Sequence, residues 1–284
     1  VSESYAELRR RATARLSEAG VENAARDVEL LLRWATGLDA PALVSRAGEA
    51  ATAEARVRFE SALSRREARA PVSHIVGGRA FWGRWFEVTP DVLDPRPESE
   101  TLIAAALERA AGAAPPARVL DLGVGSGCLL GTVLAERREA TGLGIDASRA
   151  ALAVAARNMA ALEIADRAEM RLGDWLDGLT EGFDMILCNP PYIARAEMDG
   201  LSPEVLEHEP RIALTPGGDG LDAYRRIAPD LACYLRRGGR ALFEIGPDQA
   251  AQAATIFAAF GWPHPIVHRD MDGRDRCLEY RRKP

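Results

Sequence analysis

Lysine is almost absent from this sequence: of its 36 basic residues, all but Lys283 are arginine. That excludes a phosphate-cradling loop of the G-x-x-x-x-G-K type, which needs a lysine directly after its glycines. Cysteine is scarce as well. Cys128, Cys188, Cys233 and Cys277 are widely separated and form no C-x-x-C pair. This argues against a disulfide framework or a zinc site and fits free thiols in a reducing compartment. His74, His208, His264 and His268 show no ligand spacing, so no metal is expected, and no Ser–His–Asp or Cys–His set suggests itself. No apolar run approaches the roughly 18 residues that span a bilayer. The opening stretch VSESYAELRRRATARL is charged throughout and lacks the apolar centre of a signal peptide. A soluble, cytoplasmic protein without a membrane partner is the expectation. Positive charge is not in excess either. Lys+Arg at 36 against Asp+Glu at 42 leave a net −6, which excludes coating nucleic acid through bulk electrostatics but not a local basic patch.

What is there is ordinary globular composition, 47% hydrophobic and 27% charged over 284 residues, enough for a large domain and a small one. Residues 1–72 read as a small all-helical N-terminal domain. Tyr5, Leu8, Ala12 and Leu16 recur at helical spacing, and Val28, Leu31, Leu32 and Ala35 repeat it up to Gly37. A third helix, from about 52 to 69, has Val57, Phe59 and Leu63 as its apolar side and closes before Pro71. Three helices with such modest faces suit packing on something else. Residues 73–93 form a linker around GGRAFWGRWFEVT (77–89), whose aromatic and β-branched residues on both sides of Gly83-Arg84 read as a β-hairpin.

From 94 to 284 the pattern alternates. An Ala-rich helix near 98–111 and an AGAAPP turn (111–116) precede seven expected strands: ARVLDLG, TGLGID, AEMRLGD, FDMILCN, GGRALFEIG, and two near 265–269 and 276–280. Helices are expected between them, at about 126–137, 149–162, 222–235 and 248–260. Such alternation predicts an α/β fold, a mostly parallel seven-stranded sheet with helices on both faces. Glu204, Glu207 and Glu209 read as an acidic, solvent-facing stretch.

The strongest local signal is DLGVGSG (121–127). Gly123, Gly125 and Gly127 let the backbone turn sharply and approach a ligand, and the helix that follows offers free N–H groups. The next strand ends in Asp146, where an acid binds ribose hydroxyls in dinucleotide folds. Yet the spacing is G-x-G-x-G, not the G-x-G-x-x-G that cradles a pyrophosphate. With no loop lysine, a nucleoside cofactor without phosphates fits best, and S-adenosylmethionine is the obvious candidate. Asp174-Trp175, after the third strand, is placed for adenine: the carboxylate accepts from its exocyclic amine and the indole packs on its ring. Asp121 either positions the cofactor's amino-acid end or finishes a strand.

NPPY (189–192) selects the reaction class. It ends the fourth strand, where ligands bind in open α/β sheets. Pro190 and Pro191 stiffen the backbone. The Asn189 side-chain oxygen and the Pro190 carbonyl can then accept from one –NH2 group, while Tyr192 offers a flat face to a planar amide or base. An amide nitrogen is a poor nucleophile. Two acceptors aimed at its protons return electron density to it and hold it in line for methyl transfer.

In order along the chain, ARDVELLLRWATG (25–37), PVSHIVGGRAFWG (71–83), DPRPESE (94–100), DLGVGSG, NPPYI (189–193), EPRIAL (209–214) and GDGLDAYRRI (218–227) resemble the bacterial release-factor glutamine methyltransferases, the PrmC or HemK family. The resemblance covers nearly the whole chain. It implies a Rossmann-like class I methyltransferase domain at 94–284, and methylation of the amide nitrogen (N5) of the glutamine in the GGQ motif of peptide-chain release factors. It also implies that Gly123, Val124, Gly125, Ser126, Gly127, Asp146, Trp175 and Asn189 contact the cofactor. Asn189, Pro190, Pro191 and Tyr192 would grip the substrate glutamine, and the helical domain would help dock the release factor. Separately from the resemblance, a monomer is expected. Two positions depart from the family pattern: Asp94 where an apolar residue is usual, and His208 where an aromatic is common. The chief rival is an enzyme that methylates the exocyclic amine of adenine in nucleic acid, which NPPY also suits. The net acidity speaks against it. A second rival is a non-catalytic cofactor-binding partner, against which the intact NPPY speaks.

Overall fold

Ser4 opens the chain's first helix with a reciprocal capping box to Glu7, and the side chains of Asp39 and Thr52 cap two later helices. The computed structural model describes residues 3–108 and 117–283. The chain divides into two units, Val1–Gly78 with Ser202–His208, and Arg79–Leu201 with Glu209–Pro284. The AGAAPP turn, with the end of the Ala-rich helix expected before it, lies outside the described residues.

The helical unit contains Tyr5–Glu18, Ala24–Thr36, Ala40–Ser45, Ala53–Glu67, Val72–Val76 and, from the distant stretch, Pro203–His208. Five helices thus stand in the N-terminal stretch where three were expected. Leu8, Leu16, Val28, Leu31, Phe59 and Leu63 form its core. Val57 does not join them. It is 71% exposed, because two residues along a helix turn through about 200° and cannot share the face of Phe59. Ala55 and Ala62 take the inward positions instead.

At the start of the second unit stands the hairpin, β1 (Gly78–Phe81), whose first residue still counts with the helical unit, and β2 (Arg84–Glu87). Its two-residue turn, Trp82-Gly83, has positive φ at both positions, the geometry that matches strand twist. Glu87 in β2 is pinned to helix Arg149–Ala161 by both ends of the buried Asn158 amide, at 2.7 and 3.0 Å. The seven-stranded sheet is built from β3 (Arg118–Leu122), β4 (Thr141–Asp146), β5 (Ala168–Leu172), β6 (Phe183–Cys188), β7 (Leu235–Glu244), β8 (Ile266–Arg269) and β9 (Asp275–Arg281). Their order is β5-β4-β3-β6-β7-β9-β8. The strands from β5 to β7 run parallel, and β9 pairs antiparallel with both β7 and β8.

Alternate side chains fill the two faces. Leu120, Leu122, Ile186 and Cys188 pack on one side, and Val119, Met185 and Leu187 on the other. The expected helix 222–235 is two pieces, Asp222–Ile227 and Leu231–Tyr234. Pro229 between them cannot supply the N–H that a continuous helix needs. The order reverses at β3, and Leu122 lies beside Cys188 in register. Gly123 and Asn189 therefore leave the sheet side by side, at the switch point where open α/β sheets bind ligands.

Candidate active site

The loop after β3 is made by its glycines. Gly123, Gly125 and Gly127 all have positive φ, a region that other residues enter only under strain. At Gly127 a second reason applies: a Cβ there would lie 2.6 Å from the Met159 methyl and 3.3 Å from Ala155, so the glycine also lets helix Arg149–Ala161 approach. The N–H groups of Gly123 and Val124 both donate to the Ile145 carbonyl, at 2.9 Å each. Asp146 is then fixed by backbone alone, accepting from Gly125 N at 2.9 Å and from Ser148 N at 2.8 Å. Each oxygen keeps a lone pair for a further donor.

Asp121 sits beneath this loop, buried at the end of β3. One oxygen accepts from Leu130 N at 3.1 Å, and the other has no partner. Burial pushes its pKa up to about 7, with the Asp146 charge adding to the rise and the Leu130 N–H opposing it. A buried carboxylate oxygen without a donor fits a cationic amino group brought by a ligand.

The loop from Gly123 to Ser126 and Asp146 open on a cavity of about 400 Å³ within the sheet unit. Gly123, Val124, Gly125, Ser126, Asp146, Asp174, Trp175, Asn189 and Pro191 line it. Asp121, Gly127, Pro190 and Tyr192 do not, and form its supports. Trp175 carries a positive φ of 53° and lies over the glycine loop, where a Cβ on Gly123 would meet its ring at 3.8 Å. Asp174 is half-exposed and already accepts from Arg226 at 2.8 Å. The size, the Asp146 acceptors and the Trp175 ring together suit a nucleoside, and the orphaned Asp121 oxygen lies behind that lining. Among the described residues, no group of three or more His, Cys, Asp or Glu could hold a metal ion.

On the other side of the cavity, the Asn189 Nδ2 donates to Ser99 Oγ at 3.2 Å. The Tyr192 hydroxyl donates to Glu244 Oε1 at 3.4 Å, and its carbonyl accepts from Gln249 Nε2 at 2.8 Å. A Cβ at Gly220 would strike that carbonyl at 2.3 Å, so the glycine is obligatory for the course of the Tyr192 backbone. The segment beyond is tied back by Arg96, whose Nη2 reaches both oxygens of the buried Glu209 at 2.6 and 2.7 Å. Burial raises the Glu209 pKa, assisted by Asp94 and opposed by Arg96. Asp94 itself is buried and paired with Arg79 at 2.7 Å, which accounts for an acid at that position.

The acidic stretch is not solvent-facing as expected. Glu209 is buried against Arg96, and Glu204 bridges Arg66 and Arg69 at 2.7 and 2.8 Å within the helical unit, leaving only Glu207 exposed. Ser99, Glu244, Gln249, Gly220 and Arg226 were not singled out by the sequence. Ser99, Gly220 and Arg226 fall inside the quoted stretches DPRPESE and GDGLDAYRRI without being given a role, and Glu244 left a trace of its own, a lone carboxylate inside the apolar run ALFEIG, where an acid needs a reason to be buried.

Residues 7–77 match the family model of the PrmC N-terminal domain, and residues 99–221 that of the methyltransferase small domain. A release factor glutamine methyltransferase of Cereibacter sphaeroides is 52% identical over 276 residues, covering 97% of this chain and 98% of the relative. One from Caulobacter vibrioides is 42% identical over 265 residues, with 93% and 91% covered. Among solved structures, a methyltransferase from Pyrococcus furiosus shares the fold, with a TM-score of 0.53 at 16% identity over 78% of this chain and 100% of that one. The cofactor of this enzyme is S-adenosylmethionine, in keeping with the cavity and its lining. By its full-length likeness to these relatives, the chain belongs to the release factor glutamine methyltransferase family.

Proposed function

We propose that the protein methylates the side-chain amide nitrogen (N5) of the glutamine in the GGQ motif of peptide-chain release factors, and so modulates translation termination. One observation carries the reading. Asn189, which lines the cavity, and Pro190 follow β6 directly, beside the glycine loop that follows β3, which supports reading the Asn189 side chain and the Pro190 carbonyl as the two acceptors for an –NH2 group. The names of the relatives agree.

S-adenosylmethionine supplies an electrophilic methyl group on its sulfonium. Asp121 would hold its amino group, Asp146 its ribose, and Asp174 with Trp175 its adenine, while Gly123, Val124, Gly125, Ser126 and Gly127 give the backbone approach. Asn189 Oδ1 and the Pro190 carbonyl accept from the amide –NH2, which raises electron density on nitrogen and sets its direction of attack. Pro191 stiffens the turn, and Tyr192 gives the planar amide a face to lie on. Positioning of this kind supplies several kcal/mol of barrier reduction. The helical unit docks the release factor, and the enzyme works as a cytoplasmic monomer without nucleic acid.

The deciding experiment is transfer from labelled S-adenosylmethionine to a purified release factor, beside the same factor with its GGQ glutamine replaced. Label on the native factor alone is expected. Label on adenine-containing nucleic acid instead would move the acceptor to an exocyclic amine and overturn the proposal.

A further inference from the structure

Glu244 ends β7 at zero exposure, between the equally buried Phe243 and Ile245. Such a burial of charge in an apolar strand is costly unless the carboxylate has work for its lone pairs. Oε1 accepts from the Tyr192 hydroxyl, and the Tyr224 hydroxyl anchors the Glu244 main-chain carbonyl at 2.8 Å. Oε2 has no partner. The buried Ser99 hydroxyl, 2% exposed, favours the charged form of Glu244. The oxygen of that same hydroxyl accepts from Asn189 Nδ2.

We infer that Glu244 is the positioning residue that sets the polarity of the substrate site, acting on Tyr192 directly and on Asn189 through Ser99. An ionised carboxylate only accepts. It therefore draws the Ser99 O–H toward Oε2, which leaves Ser99 a lone pair and no proton for Asn189. Asn189 must then turn its Nδ2 to Ser99 and its Oδ1 toward the cavity, the orientation an –NH2 substrate requires. A protonated Glu244 removes this constraint, because its own O–H can donate to Ser99, freeing the Ser99 proton for Asn189 Oδ1. The Asn189 amide then presents a donor to a donor.

The surroundings set where this switch lies. Burial pushes the Glu244 pKa up to about 7, opposed by Ser99, by Arg276 on β9 and by Tyr192, and assisted by Glu98 on the turn Pro97–Ser99. Tyr192, Tyr224, Cys188 and Cys277 are all pushed upward by burial and by the Glu244 charge, so none of them competes as an acid in this range. Burial also pushes Asp121 on β3 up to about 7, and its effect is separable because its proposed partner is the cofactor.

The inference rests on the amide reading for its consequence, but its first test needs no substrate. The side-chain amide signals of Asn189, assigned by loss in Asn189→Asp, are followed by NMR in the whole free protein from pH 5.5 to 8.5. A titration with a midpoint near 7 is expected in the wild type, and none in Glu244→Gln. The second test measures methylation of a release factor. Turnover in the wild type rises through pH 7, whereas Glu244→Gln and Ser99→Ala each lose about 10-fold or more in kcat at pH 8. The KM for S-adenosylmethionine stays within about twofold, and the double variant is no worse than the poorer single one. An Asn189 signal indifferent to pH, or single losses that multiply in the double variant, overturns the assignment. If the Asn189 titration appears but no release factor takes a methyl group, the polarity relay stands and the substrate reading fails.

Discussion

The sheet unit holds two kinds of buried carboxylate, paired ones such as Glu209 and Glu279 and others left with an open oxygen, whereas the described helical unit shows only the paired kind. In the helical unit, Glu204 meets Arg66 and Arg69, and Arg66 also meets Asp27 at 2.8 Å. These pairs hold the Glu204 carboxyl down at about 2, against the opposing effect of burial. In the sheet unit, Asp121 and Glu244 each keep one oxygen without a partner and are pushed up to about 7 by burial. Among the described residues, every buried carboxylate oxygen lacking a hydrogen bond lies in the sheet unit, on Asp94, Asp121 or Glu244. Paired acids fix a shape. Unpaired ones store an interaction for something that arrives, and two of these three are the ones given roles in the proposed cofactor and substrate sites.

The largest effect should come where that stored capacity meets the substrate. Asn189→Ala removes one of two acceptors without touching the sheet core, and is expected to lose about 10²–10³-fold in kcat, the scale for deleting one site hydrogen bond. Its melting temperature should stay within about 2 °C of wild type. Near-wild-type turnover in this variant, measured with a release factor, would contradict the role given to NPPY.

Next comes the cofactor side. An ionised Asp121 favours a cationic amino group and a protonated one does not. The affinity for S-adenosylmethionine should therefore weaken as pH falls through about 7, approaching tenfold per pH unit below it. Asp121→Asn should bind about 10-fold or more weakly at pH 8 and flatten that dependence. The same raised pKa has a stability consequence of opposite sense. The free enzyme binds a proton at Asp121 that the unfolded chain has released above about pH 4, so its stability declines as pH rises toward 7. Calorimetric titration across pH 6–8 reads the first effect, and thermal unfolding without cofactor the second.

How much of this was legible beforehand follows the same division. Gly123, Gly125, Gly127 and the Pro190-Pro191 pair answer local backbone demands, so the letters announce the conformation. Asp146 could be placed because a parallel sheet puts consecutive strand ends at one edge. Ser99 and Glu244 could not, since Ser99 meets Asn189 across 90 positions and Tyr192 meets Glu244 across 52. The acidic stretch misled for a related reason. Glu209 finds Arg96 113 positions away and Glu204 finds Arg66 138 positions away, and a run of acids reads as solvated when its partners are that remote. Trp175 was legible as a site residue but not in its conformation, since its positive φ breaks a rule by which the sequence would assign glycine there.

The smallest expected effect belongs to the paired acids. Glu204→Gln keeps shape and one acceptor but gives up the charge that Arg66 and Arg69 share. Because the folded pKa lies near 2 and the unfolded one near 4.5, the wild type holds this contribution above pH 4.5 and loses it as pH falls through 2. It is worth on the order of 2 kcal/mol once partial solvation is allowed for. Thermal unfolding of the whole chain at pH 7 and pH 3 should show the wild type destabilised by acid more than the variant, while methyl transfer at pH 8 remains within about threefold. Equal acid sensitivity in both would mean that the Arg66–Glu204–Arg69 bridge is no more than a surface pairing. A large loss of transfer with unchanged unfolding would place Glu204 among the working acids rather than the structural ones, and the division between the two units would fail at that residue.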